Sequence, residues 1–143
     1  MVENSALAGQ VDIDSAGTHG YHVGSPPDAR SIEHAAKRGI DITGLRGRQI
    51  SISDFERFDY ILVADQPNMK FLHGICPTRL QHKLEYLLDY GSDEDKFEVP
   101  DPYTGGPNDF ETALDLIKDG CEGLLEYFVD QRRSGLSSLA KKK

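Results

Sequence analysis

The sequence has 143 residues, of which 28% are charged and 38% hydrophobic, and its formal net charge at pH 7 is −8. This length predicts one domain with a real hydrophobic core, and this composition excludes a disordered chain. The negative charge argues against a nucleic-acid-binding protein, and no apolar run approaches the roughly 18 residues of a membrane span.

The cysteines and the start of the sequence bear on disulfides, metal sites and the cellular compartment. Cys76 and Cys121 are too few and too far apart for a disulfide framework or a metal site. No basic segment followed by an apolar one opens the sequence, as it would in a secretory signal. We therefore expect a cytoplasmic, reduced protein without a metal ion or cofactor.

The first 50 residues predict a helix end, a strand and a second helix. Residues 1–9 are typical of the end of a helix, and the alternation over residues 11–18 predicts a short strand that leads into a turn. Asp28 or Pro27 opens a helix over residues 29–38, which Gly39 ends. The apolar face of this helix is predicted to consist of Ile32, Ala35 and Ala36.

The middle of the sequence contains the strongest strand signal. The continuous apolar run within residues 58–65 indicates a strand buried on both faces, as in a parallel sheet. Ser53 and Asp54 form a plausible cap for a brief helical turn before it. A further helix is predicted to begin near Pro67, and residues 82–90 leave strand and helix both open.

The last part of the sequence predicts a long amphipathic helix from about Phe110 to Arg133. Its predicted buried stripe consists of Leu114, Ile117, Cys121, Leu124, Leu125 and Phe128. The alternation of helices and strands predicts an α/β fold with a small, mostly parallel sheet. We expect one domain over residues 1–131 and a flexible basic tail over residues 132–143.

The loop "DPYTGGP" at residues 101–107 is the first candidate for catalytic chemistry. A carboxylate beside an aromatic residue, such as Asp101 next to Tyr103, can act as a general acid. The loop is also typical of a plain surface turn before a helix capped by Asn108 or Asp109. Spacing alone favours the plain turn.

Three further residues stand at positions where ligands bind. Ser15 follows the predicted first strand, and Tyr21 lies in the loop after it. Asp65 stands at the carboxyl end of the buried strand, where open α/β sheets bind ligands. Two of them have a structural alternative as well, since Ser15 suits an ordinary turn and Asp65 can cap the next helix.

A nucleophile is harder to find. A cysteine phosphatase needs Cys, five residues and then Arg, so that backbone N–H groups and the guanidinium cradle a phosphate. The required position after Cys76 holds His82, and the one after Cys121 holds Tyr127. Both cysteines are predicted to be core residues, and the sequence contains no Walker or GxGxxG motif.

In order and spacing, these segments resemble the low-molecular-weight protein tyrosine phosphatases, from about Val2 to about Val129. Members of that family have a phosphotyrosine phosphatase I-like fold, an open parallel sheet with helices on both faces. The segments that match are "DIDSAGT" (12–18), "VGSPPDARSIEHAAKRGID" (23–41), "GRQIS" (47–51), "DFERFDYILVAD" (54–65), Asn68 and "DPYTGGPNDFETALDLI" (101–117).

The resemblance implies a role for each candidate residue. Asp101 would protonate the tyrosine leaving group and then activate water to hydrolyse a phosphocysteine intermediate. Tyr21 and Tyr103 would flank the phosphotyrosine, while Ser15 and Asp65 would support the phosphate loop. The implied substrates are phosphotyrosine proteins and small aryl phosphates.

The resemblance also implies a first strand, a Cys-x5-Arg loop and a first helix ahead of the matching segments. These 143 residues contain no such motif, so we expect the chain to lack that strand and loop and to be inactive, unstable or dependent on a partner. One alternative is a non-catalytic pseudophosphatase that binds phosphotyrosine or a partner. The other is an arsenate reductase-like protein of the same fold, against which "DPY" argues. Substrate and oligomeric state stay open.

Overall fold

The structure is a computed structural model, and it describes residues 7–133. Two short 3₁₀ segments, Thr78–Lys83 and Leu87–Tyr90, flank its second strand. In chain order the helices and strands are α1 (Ala29–Lys37), α2 (Ile52–Arg57), β1 (Ile61–Val63), α3 (Gln66–Ile75), β2 (Leu84–Tyr86) and α4 (Pro107–Arg133).

The sheet of the described residues consists of β1 and β2 in parallel. Ile61 pairs with Leu84, and Val63 pairs with Tyr86. The predicted strand at 58–65 is therefore shorter than expected, because its partner β2 is three residues long and a 3₁₀ segment stands at each of its ends. Both alternatives left open for residues 82–90 occur, since a strand lies between two helical turns.

Helices cover both faces of β1, which confirms the predicted α/β class. Successive side chains of a strand point to opposite faces. Ile61 and Val63 pack into one cluster with side chains of α2 and α3, whereas Tyr60 and Ala64 contact clusters that contain residues of α4. The α2 and α3 residues in the first cluster include Phe55, Met69, Phe71 and Leu72.

The prediction of a strand within residues 11–18 is wrong. Gly17 makes one isolated parallel bridge with Gln49, and Val23 makes another with Gly47. Ile13, one of the two apolar residues in the predicted alternation, is mostly exposed. The alternation therefore does not mark a buried face, and the segment is held by single bridges instead of a ladder.

Helix α1 agrees with its predicted caps. The Asp28 side chain accepts a hydrogen bond from the Arg30 amide at 2.8 Å, and Gly39 follows the helix with a φ of 76°. The predicted apolar face is wrong at Ala36, which is exposed, while His34 is buried. His34 stacks on Phe110 with ring centres 5.2 Å apart, so α1 docks on α4 through an aromatic contact.

Helix α4 begins at Pro107, three residues earlier than predicted, and its buried side agrees only in part with the predicted stripe. Phe128 is buried as predicted, with Leu124 and Leu125 in the same cluster. Ile117 is exposed, however, and the buried residues Phe110, Ala113 and Gly120 were not predicted. An added Cβ at Gly123 would stand 1.7 Å from the Tyr90 carbonyl oxygen. Small residues let the helix approach the 3₁₀ segment closely, and a pattern of large apolar letters does not reveal such a contact.

The ends of the chain extend past the described residues. Leu7 to Gly9 form a turn, in which the Gln10 amide donates to the Leu7 carbonyl at 2.9 Å. Residues 1–6 of the predicted opening helix and residues 134–143 of the predicted basic tail lie outside the described range. Within that range no helix is long and apolar enough to cross a bilayer.

Candidate active site

A cavity of about 620 Å³ lies between β1 and two loops. One wall is the loop from Asp14 to Val23, and the other contains residues 47–50 together with β1 and part of α3. The loops contribute both polar and apolar groups, whereas β1 contributes apolar side chains alone. The cavity is large enough for a small organic ligand.

The cavity runs along an edge of the sheet. It is lined by Ile61, Leu62, Val63 and Ala64, which are consecutive in the chain. Because consecutive strand residues face opposite sides, a cavity on one face would touch only every second residue. Within residues 7–133 the sheet has two strands, so β1 has β2 on one edge and this cavity on the other.

Ser15 and Tyr21, two of the predicted site residues, both line this cavity. Ser15 is exposed, and its amide donates to the Asp14 carboxylate at 2.8 Å. The Tyr21 side chain is 83% exposed and packs against His19 with ring centres 5.4 Å apart. His19 in turn meets Phe71 of α3 edge-on at 5.7 Å, so the tyrosine is connected to the core through one imidazole.

Backbone hydrogen bonds hold the two loops together. The Gly17 amide donates to the Arg48 carbonyl at 2.8 Å, and the Ile50 amide donates to the Gly17 carbonyl at 2.9 Å. An added Cβ at Gly47 would stand 2.3 Å from the His22 carbonyl oxygen. Glycine is needed there because the backbones approach too closely for a side chain.

An ion pair that the sequence did not reveal lies at this wall. Two nitrogens of the Arg48 guanidinium donate to Asp54 at 3.0 and 3.1 Å, and its Nε donates to Asp14 at 3.2 Å. Asp54 also accepts from the Ser51 amide at 2.8 Å. Ser51, not Ser53, is thus the N-cap residue of α2. The spacing Ser51-x-x-Asp54 is a capping-box signal that sequence inspection could have used.

The environment lowers the pKa of Asp54 although the carboxyl is buried. Burial by itself raises this pKa, but the hydrogen bonds from Arg48 and Ser51 favour the ionised form and outweigh it. The same pairing raises the pKa of Arg48. Both groups are therefore ionised at neutral pH, and their ion pair stabilises this wall of the cavity.

Low pH should remove the stabilisation that Asp54 contributes, over a defined pH range. Because the folded-state pKa of Asp54 is depressed, its stabilisation is present above the unfolded pKa of about 4 and is lost as pH falls through the lower folded value. We expect the wild-type advantage over Asp54→Asn to be largest at neutral pH and to shrink below about pH 4. Urea unfolding at a series of pH values measures this.

The control for that series is Asp59→Asn, which changes an exposed carboxylate two residues beyond the end of α2. Its free energy of unfolding should follow the wild-type pH dependence. An advantage of the wild type over Asp54→Asn that stays constant from pH 7 to pH 2.5 would contradict the depressed pKa.

Asp65 caps α3, one of the two alternatives predicted for it. Its carboxylate accepts from the Asn68 amide at 2.9 Å. It does not line the cavity itself, although its neighbour Ala64 and its capping partner Asn68 do. Its role in supporting a phosphate loop stays a prediction.

Asp101 lies in a tight turn at the surface. Its Oδ1 accepts from the Tyr103 amide at 3.0 Å, and the Gly105 amide donates to the Pro102 carbonyl at 2.9 Å. The start of the loop is fixed because the Val99 amide donates to the Ala64 carbonyl at 2.8 Å. Asp101 and Tyr103 are exposed and do not line the cavity, so the described residues do not place them against Ser15 and Tyr21.

The loop ends in a capping interaction close to the one predicted. Asp109, the third residue of α4, accepts from the Gly106 amide at 2.9 Å. It thus satisfies a backbone donor ahead of the helix without being the N-cap residue itself. An added Cβ at Gly105 would stand 2.1 Å from the Asp109 carboxylate, which explains why glycine stands there.

Arg30 of α1 contacts this loop, and the sequence did not indicate that contact. Its Nη2 donates to the Tyr103 carbonyl at 2.8 Å, and its guanidinium carbon lies 5.6 Å from the centre of the Tyr103 ring. Nothing local predicts this contact, since the two residues are 73 positions apart. It joins the start of α1 to the candidate acid loop.

Neither cysteine suits a nucleophile. Cys76 is buried in the cluster around β1, and Cys121 is half-buried in α4. Burial raises the pKa of both thiols, which disfavours the reactive thiolate. Across residues 7–133 no group of three or more His, Cys, Asp or Glu side chains could hold a metal ion.

Comparison with known proteins gives a consistent result. A sequence model described as "Low molecular weight phosphotyrosine protein phosphatase" matches residues 1–135. The low molecular weight protein-tyrosine-phosphatase YfkJ of Bacillus subtilis is 38% identical over 133 residues, which are 93% of this chain and 84% of that relative.

Solved structures have the same fold. A protein tyrosine phosphatase from Entamoeba histolytica, crystallised with Hepes in its active site, is 33% identical with a TM-score of 0.84, over 94% of this chain and 83% of that one. Vibrio vulnificus Wzb, solved in complex with benzylphosphonate, is 25% identical with a TM-score of 0.71, over 80% of this chain and 78% of that one.

Proposed function

Since the chain belongs to the low molecular weight phosphotyrosine protein phosphatase family, we propose that its site serves the hydrolysis of phosphotyrosine in proteins and of small aryl phosphates. The observation that carries this proposal is the turn at Asp101, in which an exposed carboxylate is fixed next to an exposed aromatic ring. A proton donor beside an aryl-binding surface is what phenolate departure requires.

Asp101 is the general acid of this proposal. Its Oδ1 is engaged by the Tyr103 amide, so Oδ2 is the oxygen that can carry a proton to the leaving phenolate. In the second half of the reaction the same carboxylate takes a proton from the water that attacks the phosphoenzyme. The exposed position of the turn leaves the carboxylate open to a phosphoprotein.

Tyr21 and Tyr103 are the aryl-binding residues of the proposal. Their side chains are 83% and 62% exposed, which is unusual for tyrosine and leaves flat apolar faces available to a substrate ring. In this proposal Ser15 and Asp65 support the phosphate-binding loop, Ser15 from within the cavity and Asp65 from beside it. Ser15 lines the cavity, and Asp65 caps α3 next to the cavity residue Asn68.

The nucleophile of this family is the cysteine of a Cys-x5-Arg loop, and these 143 residues contain no such motif. We therefore expect the 143 residues on their own not to form a phosphocysteine. The cavity along the edge of β1 where residues 7–133 place no strand supports this, because a strand paired there would deliver such a loop to Ser15. Hydrolysis then depends on a strand and loop supplied at that edge.

The experiment is turnover of p-nitrophenyl phosphate by the 143 residues and by an extended chain. The extended chain carries the family's first strand, Cys-x5-Arg loop and first helix ahead of Met1. We expect no turnover above buffer from the former and clear turnover from the latter. A cysteine-to-serine change in the added loop is the matched control, and it should abolish turnover.

Other outcomes separate the alternatives. Turnover by the 143 residues alone, lost in Asp101→Asn, would overturn the view that Cys76 and Cys121 are structural. An extended chain that folds without turnover would overturn the proposed phosphatase site. In that case, binding of a phosphotyrosine peptide to the 143 residues would support a pseudophosphatase instead.

A further inference from the structure

Pro100 and Pro102 restrict the backbone on either side of Asp101, but the rest of the loop that carries it is less constrained by its own sequence. It contains Gly105 and Gly106, which permit many backbone conformations. The carboxylate of Asp101 is oriented by one local hydrogen bond, the one it accepts from the Tyr103 amide. Proton transfer needs this carboxylate within hydrogen-bond reach of the leaving oxygen, so the position of Tyr103 decides the position of the acid.

Arg30 holds Tyr103 at two points. Its Nη2 donates to the Tyr103 carbonyl at 2.8 Å, and its guanidinium lies over both the Tyr103 ring at 5.6 Å and the Phe110 ring at 4.8 Å. Phe110 is buried at the start of α4, so it provides a fixed surface under the guanidinium. The backbone and the ring of Tyr103 are thus both constrained by one side chain.

Arg30 is itself held at the start of α1. Its Nε and Nη2 donate to the Asp28 carboxylate at 3.2 and 3.1 Å, and its amide donates to the same carboxylate at 2.8 Å. These hydrogen bonds lower the pKa of Asp28, which therefore stays ionised at neutral pH. The planar guanidinium is thereby oriented before it reaches the loop.

Helix α1, which carries Arg30, is held against the long helix α4. The His34 ring stacks on Phe110 and pairs with Glu111, and Arg38 donates to Glu111 and Asp115 at 2.9 and 2.8 Å. These contacts fix α1 against the first turns of α4. The loop that carries Asp101 ends at those turns, so α1 and the loop share one rigid support.

We propose that Arg30 is a positioning residue for the general acid: it clamps the carbonyl and ring of Tyr103, and the Tyr103 amide in turn orients Asp101. The inference rests on the proposed function of Asp101. Arg30 donates to the Tyr103 carbonyl while Asp101 accepts from the Tyr103 amide, so Arg30 acts on the acid through that residue. The arrangement uses several donors of a planar group, which lysine does not offer.

The competing view is that Arg30 and Asp28 form an ordinary surface ion pair. The Arg30 side chain is 44% exposed, and exposed pairs contribute little to stability. On that view the loss of Arg30 leaves the Asp101 turn unchanged. The two views therefore differ in the behaviour of the Tyr103 amide.

The test follows the Tyr103 amide by NMR in the 143-residue chain. Asp101→Asn alters the acceptor of this amide, so its effect on the Tyr103 amide proton shift measures the hydrogen bond between the two residues. In an Arg30→Gln background this effect should fall by at least half, and amide exchange at Tyr103 and Gly105 should become about 5- to 10-fold faster. The urea midpoint should stay near that of the wild type, which separates positioning from stability.

Two variants sharpen the result. Arg30→Lys keeps the charge but not the planar fork, so it should resemble Arg30→Gln. Arg79→Gln removes another exposed arginine, one that pairs with Glu56, and it should match the wild type at Tyr103. A wild-type effect of Asp101→Asn and a wild-type exchange rate in the Arg30→Gln background would overturn the inference, and full rescue by Arg30→Lys would overturn the role of the planar fork.

This measurement needs no turnover. Its failure would leave the role of Asp101 standing, whereas failure of the proposed function would appear in the phosphatase assay of the extended chain. The two failures can therefore be told apart.

Discussion

Asp101→Asn in the extended chain should lower kcat/KM for phenyl phosphate by about 10²- to 10⁴-fold, the usual contribution of a positioned general acid. Phenolate is a poor leaving group and needs a proton as the P–O bond breaks. The nitrophenolate of p-nitrophenyl phosphate leaves more easily, so the loss there should be smaller. Steady-state kinetics with both esters measures the difference, and a largely unchanged KM would place the effect on the chemical step.

A matched control separates this effect from the loss of one negative charge. Asp95→Asn changes an exposed carboxylate in the preceding loop, where the Asp95 amide donates to Asp93 at 3.0 Å. This variant should leave the kinetic constants for both substrates unchanged. Equal losses of kcat/KM for phenyl and p-nitrophenyl phosphate in Asp101→Asn would contradict proton donation, because kcat/KM contains the step in which the phenolate leaves and not the later hydrolysis of the phosphoenzyme.

Phe55→Ala should lower the free energy of unfolding by about 3–5 kcal/mol. The Phe55 side chain is 0% exposed and lies in the largest apolar cluster, where α2 and α3 meet β1 and β2. Its removal leaves a cavity between elements that the short sheet alone cannot hold together. Chemical denaturation followed by far-ultraviolet circular dichroism measures the loss, and it can exceed the stability of a marginal domain.

Ile52→Ala is the control within the same helix. Ile52 is 55% exposed and three residues from Phe55, so its truncation should change stability by no more than about 0.5 kcal/mol. Similar losses in the two variants would mean that helix formation in α2, not burial of Phe55, limits stability.

Part of the fold was predictable because its signals are local. Asp28 and Gly39 bound α1 through a side-chain cap and a left-handed glycine, and both depend on residues within one helical turn. The apolar run before Asp65 identified the buried strand. Its length was wrong because a strand extends only as far as its partner, and the partner was the ambiguous segment at 84–86.

The errors in α4 have a different cause. Gly120 and Gly123 form the close contact with the 3₁₀ segment at 87–90, while Ile117 faces solvent. A sequence pattern gives weight to large apolar residues, whereas close packing of two backbones requires small ones. Only the position of the neighbouring segment reveals which face of the helix is buried.

The sequence by itself determined the family, the α/β class, the caps of α1 and the identity of Asp101, Tyr21, Tyr103, Ser15 and Asp65 as candidate site residues. The tertiary structure decided which side chains hold the site. Arg30 reaches Tyr103 across 73 positions, and Arg48 reaches Asp14 across 34. Local propensity depends on neighbouring residues and can be recognised in the sequence. A hydrogen bond between distant segments forms only once the fold has brought its donor and acceptor together.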